Sequence, residues 1–405
     1  LPSSFHRLTI SNLSAHAAQQ VGMAAAPLIA VTALHADVGQ TAWIQLAQML
    51  PFLLLSIPAG VLADRVSRKW LMRSGETLRA LSLLCVPFIV MMGAMNIPFL
   101  ALLGFVGSMG ALAYSVSVSA LIQGLVSRDV LPIANGRLEL TRSIAFIGGP
   151  ALAGALVAWT GVNQAFMLAA TLSVVAIVLL SGIPEAPRGD APRRHFIAEL
   201  VEGGRFALQH PLLRPAFGLS VVFNTAFFIL QTVFMPYAVT RLNMNAAQIG
   251  VTLSMYGIGM VTAGFCVPWM VRRMSMGQML AGGSMAGLVA VLALMVTLWH
   301  PAHWLAGLCF FVLGGGPVLW TVSFTTLRQL ITPDELMGRV TSINSLATYG
   351  SRPLGAALAG VIGTAFGMEA CLYVVTGIFT LEVVLLWMSP LPWLDAQKLK
   401  NPQGR

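Results

Sequence analysis

The chain is 405 residues long, 57% hydrophobic and only 9% charged, with a mean hydropathy of +0.81, which is more apolar than a soluble core of this size needs. The net charge of +9 would suggest nucleic acid as partner of a soluble protein. Here the basic residues lie in short gaps between apolar runs and form no continuous basic face, so a nucleic-acid partner is excluded. The recurring apolar runs of about twenty residues predict a polytopic membrane protein in contact with the lipid bilayer.

Twelve spans are predicted, near residues 10–33, 40–63, 70–93, 97–125, 131–158, 163–183, 212–240, 246–270, 275–298, 302–328, 336–365 and 368–389. Lipid offers the backbone no hydrogen-bond partners and nothing alternates like a barrel strand, so the expected fold class is all-α integral membrane. The first apolar segment is long, studded with polar side chains and lacks a cationic leader, so neither a signal nor a transit peptide is expected. With the N-terminus in the cytoplasm, one side receives nearly all the Arg and Lys residues between spans and the other only Arg241. That asymmetry predicts two cytoplasmic termini.

Span one carries Asn12, His16, Gln19, Gln20 and Met23 at helical spacing on one face, and polar side chains in lipid usually face a cavity. A polar helix-packing seam is the alternative. Gln45 and Gln48 in span two, and Tyr114 and Gln123 in span four, are further cavity candidates. Span two ends in "GVLADRVSRK", Gly60 to Lys69, a charged cytoplasmic loop before span three. In span three Arg79 can snorkel to the interface and act structurally, with Glu76 as possible partner. Span five holds Glu139 and Arg142 one turn apart, where they can pair, followed by "GGPALAG", which contains Gly149, Pro150 and Gly154.

The longest hydrophilic stretch, Pro184 to Pro215, begins rich in proline and continues with Phe196, Leu200, Ala207 and Leu208 at helical spacing, predicting a short amphipathic helix on the membrane surface. It divides the chain into a six-helix half at 1–183, a linker at 184–211 and a second six-helix half at 212–405. Span seven repeats the polar stripe with Ser220, Asn224, Gln231 and Met235. Span eleven carries Arg352 near the midplane, where a guanidinium should meet a carboxylate, helix ends or an anionic substrate, and span twelve carries the comparably deep Glu382. "PIANGR" before span five and "PDELMGR" before span eleven lie half a chain apart, so the halves read as repeats with a site between them near the midplane.

"GVLADRVSRK" resembles the loop-two signature of the major facilitator superfamily, with Ser67 where that family usually has glycine, and the twelve-span repeat extends the likeness over the whole chain. "NMNAAQIGVTLSMYGIG", "TPDELMGRVTSINSLATYGSRPLGAALAG" and "LVEGGRFALQHPLLRP" resemble the branch of bacterial enterobactin exporters and macrolide efflux pumps. "GGPALAG" is similar to a Gly-Pro signature associated with antiporters. The resemblance implies a conformational latch made of Gly60, Asp64, Arg65 and Arg68, with Ser67 held in a strained left-handed turn. It also implies a drug:proton antiporter of a bacterial inner membrane, expected to be a monomer, with a small-molecule substrate and protons as partners. A carboxylate near an arginine can release or accept a proton as their separation changes, so Glu139 with Arg142 is the coupling candidate and Asp64 and Glu382 are its rivals. Importer or facilitator is the alternative.

Enzymes are the remote competing class. None of the three lysines follows a glycine, so there is no Walker A loop, HExxH is absent, and His300 with His303 is too little for a metal site. No cofactor or metal is expected. The four cysteines lie far apart in or beside apolar runs and read as packing residues. No ring of like charge marks a channel filter.

Overall fold

The computed structural model describes residues 2–123, 125–126, 131–184 and 196–394. Among these, fourteen α-helices follow one another without a strand: α1 (Ser3–Ala33), α2 (Val38–Leu54), α3 (Ser56–Arg65), α4 (Arg68–Met91), α5 (Ile97–Gln123), α6 (Leu131–Thr160), α7 (Val162–Ser181), α8 (Phe196–Gln209), α9 (Leu213–Thr240), α10 (Ala246–Arg273), α11 (Met276–Val296), α12 (His303–Ile331), α13 (Asp334–Phe366) and α14 (Met368–Trp387). Nine of them, among the described residues, are long and apolar enough to cross a membrane. Of the remaining long elements, α1 and α13 are 31 and 33 residues long but carry polar side chains within their apolar runs. The second predicted span is broken into α2 and α3 at Leu55, between Pro51, which cannot donate to the helix ladder, and Pro58.

Eight of the nine tryptophans are exposed: Trp43, Trp70, Trp159, Trp269, Trp299, Trp304, Trp387 and Trp393. All lie at or near helix ends, as in the aromatic belts of membrane proteins. Val174, Phe265, Val289 and Leu381 are exposed within their helices, which suits a lipid-facing surface rather than a watery one.

The chain forms two compact units, one of residues 1–191 and 234–254 and one of 192–233 and 255–405. In the first, α1 packs on α6 and α7, and α4 on α5 and α7. Small residues set these distances, because lipid gives helices no hydrophobic drive to associate and close packing must supply it. A Cβ on Gly75 of α4 would stand 2.7 Å from the Gly110 carbonyl of α5. In the second, α11 packs on α12 and α14, and α13 on α8 and α14. Helix α8 docks on α13: a Cβ on Gly203 would lie 2.7 Å from the Arg339 Cβ, and Arg339 pairs with Glu202 at 2.6 Å. Ala207 is buried while Leu208 is exposed, so these two residues, expected on one apolar face, part company. The side chains of Phe196 and Leu200 lie outside the described residues.

Local structure repeats along the chain. His35 and Asn243, 208 residues apart, both have φ +51° and precede capping residues, Asp37 with Gln40 and Asn245 with Gln248. Ser67 and Ser275, also 208 apart, cap α4 and α11 through their hydroxyls. Single glycines in the left-handed region, Gly161 at φ +90° and Gly367 at φ +85°, join α6 to α7 and α13 to α14.

Candidate functional site

The polar face of α1 is shared between two roles. Asn12 is a packing residue: its Nδ2 donates to Thr141 Oγ1 at 2.7 Å and to the Leu138 carbonyl at 3.2 Å, fastening α1 to α6. Tyr114 is buried, its Oη 3.2 Å from Ser11 Oγ, which also reaches the Ala176 carbonyl. In this structure both side chains join helices to one another. Gln19 instead lines a cavity of about 50 Å³ within the first unit, with Met23, Gln48, Arg79, Ser82 and Ser108. Gln20 is buried where α6 crosses: a Cβ on Gly149 would reach its backbone carbonyl carbon at 3.3 Å. His16 is half-buried and feels the charges of Arg142 and Arg79.

Arg79 does not snorkel. It is buried with Glu76, to which it donates from Nη2, and the same nitrogen reaches the Ala15 carbonyl at 2.8 Å while Nε reaches Ser173 Oγ at 3.2 Å. One arginine thus ties α4 to α1 and α7. Glu139 and Arg142 also pair, at 2.7 Å within α6, but both are substantially exposed.

In the second unit Asn224 donates to the Ser220 carbonyl of its own helix, and Ser220 Oγ accepts from Trp320 Nε1 at 3.2 Å. Gln231 Oε1 is buried without a partner. Arg352 stacks on two rings, 4.5 Å from the Tyr349 centroid and 5.2 Å from that of Phe228. Phe223, Phe227 and Tyr256 continue this aromatic surface with centroid spacings of 5.4 to 6.3 Å. Glu382 is almost fully buried on α14, and no ion pair joins it to Arg352.

The last glycine of "GGPALAG" sits at a helix crossing. A Cβ on Gly154 would stand 2.8 Å from the Gly250 Cα of α10, and one on Gly250 would stand 2.5 Å from the Pro150 carbonyl oxygen. Of the loop cluster, Gly60, Asp64 and Arg65 lie outside the residues whose side chains are described, and Arg68 opens α4. The left-handed turn expected at Ser67 is corrected: its φ is −55°, and its hydroxyl accepts the Trp70 N–H at 3.0 Å. Serine is an N-cap here, a role that needs an oxygen rather than a positive φ. No group of three or more potential metal ligands occurs among the described residues.

A sequence profile of the Major Facilitator Superfamily matches residues 8–356. The chain belongs to that superfamily. Among its relatives, the multidrug efflux pump Tap of Mycolicibacterium fortuitum is 24% identical over 364 residues, covering 87% of this chain and 88% of Tap. The enterobactin exporter EntS of Citrobacter koseri is 25% identical over 311 residues, 75% of this chain and 72% of EntS. Among solved structures, a bacterial homologue of the iron transporter ferroportin superposes with a TM-score of 0.75 at 17% identity, over 95% of this chain and 98% of that one. The nucleoside transporter NupG gives 0.74 at 14%, over 96% and 98%. These two show the fold alone.

The protein is therefore a multi-pass membrane transporter of the Major Facilitator Superfamily, not an enzyme. For such a transporter the enclosure of Glu76 and the aromatic seat of Arg352 are the features that sequence reasoning missed. The Glu-x-x-Arg spacing in span three was visible, but nothing local separated it from the same spacing in span five. The aromatic seat could have been suspected from Tyr349, one turn before Arg352.

Proposed function

We propose that this transporter is a proton-coupled exporter of an amphipathic small molecule, working by alternating access from a bacterial inner membrane with both termini in the cytoplasm. The observation that carries the reading is the crossing of α6 and α10 at Gly154, Pro150 and Gly250. The residues of the antiporter-like signature that this chain keeps lie where helix backbones meet, so they have a mechanical reason to be present beyond composition. Two relatives named as exporters, matched over most of their lengths, point the same way.

Arg352 bears on the substrate. Its guanidinium, 4.5 Å and 5.2 Å from the Tyr349 and Phe228 ring centroids, places a cation within an aromatic surface that also holds Phe227 and Tyr256. Such a surface suits an aromatic or phenolate-bearing anion better than a lipophilic cation. The residues 60–68 act in this reading as the latch of the cycle.

Accumulation assays in efflux-deficient cells test the function, with a panel of drugs and enterobactin, each with and without an uncoupler. Lower accumulation that an uncoupler reverses is the expected result. Accumulation raised by the protein would replace the exporter with an importer. Arg352→Gln should selectively weaken export of the anionic members of the panel, whereas equal loss for all members would assign Arg352 to structure.

A further inference from the structure

Glu76 and Arg79 form the most buried ion pair among the described residues. They lie 8 and 11 residues into α4, roughly 12 and 17 Å along its axis at 1.5 Å per residue. A charged pair at that depth in a membrane helix is costly and in general marks a proton or substrate path. Among the described residues Arg79 makes its hydrogen bonds through Nε and Nη2 and none through Nη1, and it borders the 50 Å³ cavity.

Gln48 of α2 borders the same cavity. It is only 4% exposed, and its Oε1 is buried without a donor. An unmet amide oxygen of this kind is destabilising, because it has given up water without gaining a donor. Two glycines of α5 keep the space open: a Cβ on Gly104 would stand 3.0 Å from Gln48 Cγ, and one on Gly107 3.1 Å from Ser82 Oγ. A cavity of this size has room for about three to five waters. The wall thus offers an arginine donor and an amide acceptor that do not yet meet.

We propose that Glu76 is a proton-exchange site, with Arg79 alternating between two acceptors. When Glu76 is ionised, Arg79 pairs with it. When Glu76 takes a proton from water, Arg79 turns to Gln48 Oε1, directly or through water in the cavity. A hydronium ion in the cavity gives up one O–H bond and is left as water, the proton forms an O–H bond to one carboxylate oxygen, and the guanidinium stays charged, so once the water is released loading leaves the pair with a charge of plus one. The groups facing the pair are His16 of α1, which also feels Arg142 of α6, and Tyr114 of α5, while α7 contributes Ser173 and no titratable side chain. Glu139 lacks this enclosure, and Glu382 has no ion-pair partner among the described residues. The role of Glu76 in coupling rests on the proton-driven reading above, while its proton exchange does not.

The test is a pH titration of the full-length protein in liposomes, following the infrared absorption of protonated carboxyl groups, with no transported substrate present. Glu76→Gln should delete a titrating band that Glu139→Gln and Glu382→Gln both leave. Gln48→Leu spares the ion pair but removes the second acceptor, and should weaken proton binding about tenfold, lowering the midpoint by about one pH unit. Should Glu76→Gln fail to insert, Glu76→Asp keeps the charge and should move the same band. The proposal is overturned if the spectrum of Glu76→Gln titrates like wild type, or if neither Gln48→Leu nor Glu76→Asp moves any band. A titrating Glu76 in a protein that exports nothing in the uncoupler assay would overturn the exporter reading alone.

Discussion

Two helices carry the same four-residue pattern, Glu76-Thr77-Leu78-Arg79 in α4 and Glu139-Leu140-Thr141-Arg142 in α6, and in both the glutamate and arginine pair across one turn. Their surroundings differ. The side chains of Glu76 and Arg79 are 0% and 4% exposed, those of Glu139 and Arg142 54% and 43%. Helix spacing makes the pair, and neighbouring helices decide what it is worth. An exposed pair contributes about 0–1 kcal/mol because solvent screens it. A buried pair holds charges that cannot separate cheaply, so loss of one partner is far worse than loss of both.

The largest effect expected from this contrast is at α4. Arg79→Ala or Glu76→Ala alone should cost about 3–5 kcal/mol, read as a lower melting temperature of the purified protein in detergent, whereas Glu76→Gln with Arg79→Gln should recover much of the loss. If each single variant costs as little as its α6 counterpart, burial is not what separates the pairs. Next comes the other anchor of α6. Gly154→Val should overpack its crossing with Gly250, costing about 1–3 kcal/mol, and should abolish export more completely than it lowers the melting temperature. Normal export would show that the crossing tolerates separation. Glu139→Gln should change stability by less than about 1 kcal/mol and leave the pH dependence of export unchanged. A lost pH dependence would return the coupling role to α6.

The smallest effect is at the corner between α8 and α9, outside the membrane-spanning helices. His210 Nδ1 accepts the Leu212 N–H at 3.2 Å, and burial lowers the imidazole's pKa below its usual value. The neutral form is favoured in the fold, so its stabilisation is complete above the ordinary histidine value and is lost as pH falls through the lowered one. Acid should loosen this corner. Amide exchange at Leu212, Leu213 and Arg214, corrected for intrinsic rates, should speed up between pH 7.5 and 5 in the wild type and not in His210→Asn. Equal acceleration in both would sever the link between histidine and corner.

The helices themselves were legible because their causes are local or nearly so. Runs of about twenty apolar residues must be helical in lipid, and the Pro-rich start of the stretch from Pro184 marks a break between them. Family membership was legible for a related reason, since loop motifs such as "GVLADRVSRK" are contiguous. Individual roles were less so. Ser67 read as a strained substitute for glycine until its backbone placed it at a cap. Which helices the polar side chains of Asn12 and Tyr114 reach was not legible, because their partners Thr141 and Ser11 lie more than a hundred residues away in sequence.

What the sequence by itself determined is the all-helical membrane character, the superfamily and the Glu-x-x-Arg spacing. What only the tertiary structure decided is which pair is enclosed. Thr77, Leu78, Leu140 and Thr141 give the two pairs nearly the same local setting, but Gly75 meets Gly110 and Arg79 reaches Ala15 and Ser173 from helices distant in the chain. Hydropathy sums over neighbours in sequence, whereas desolvation is set by neighbours in space.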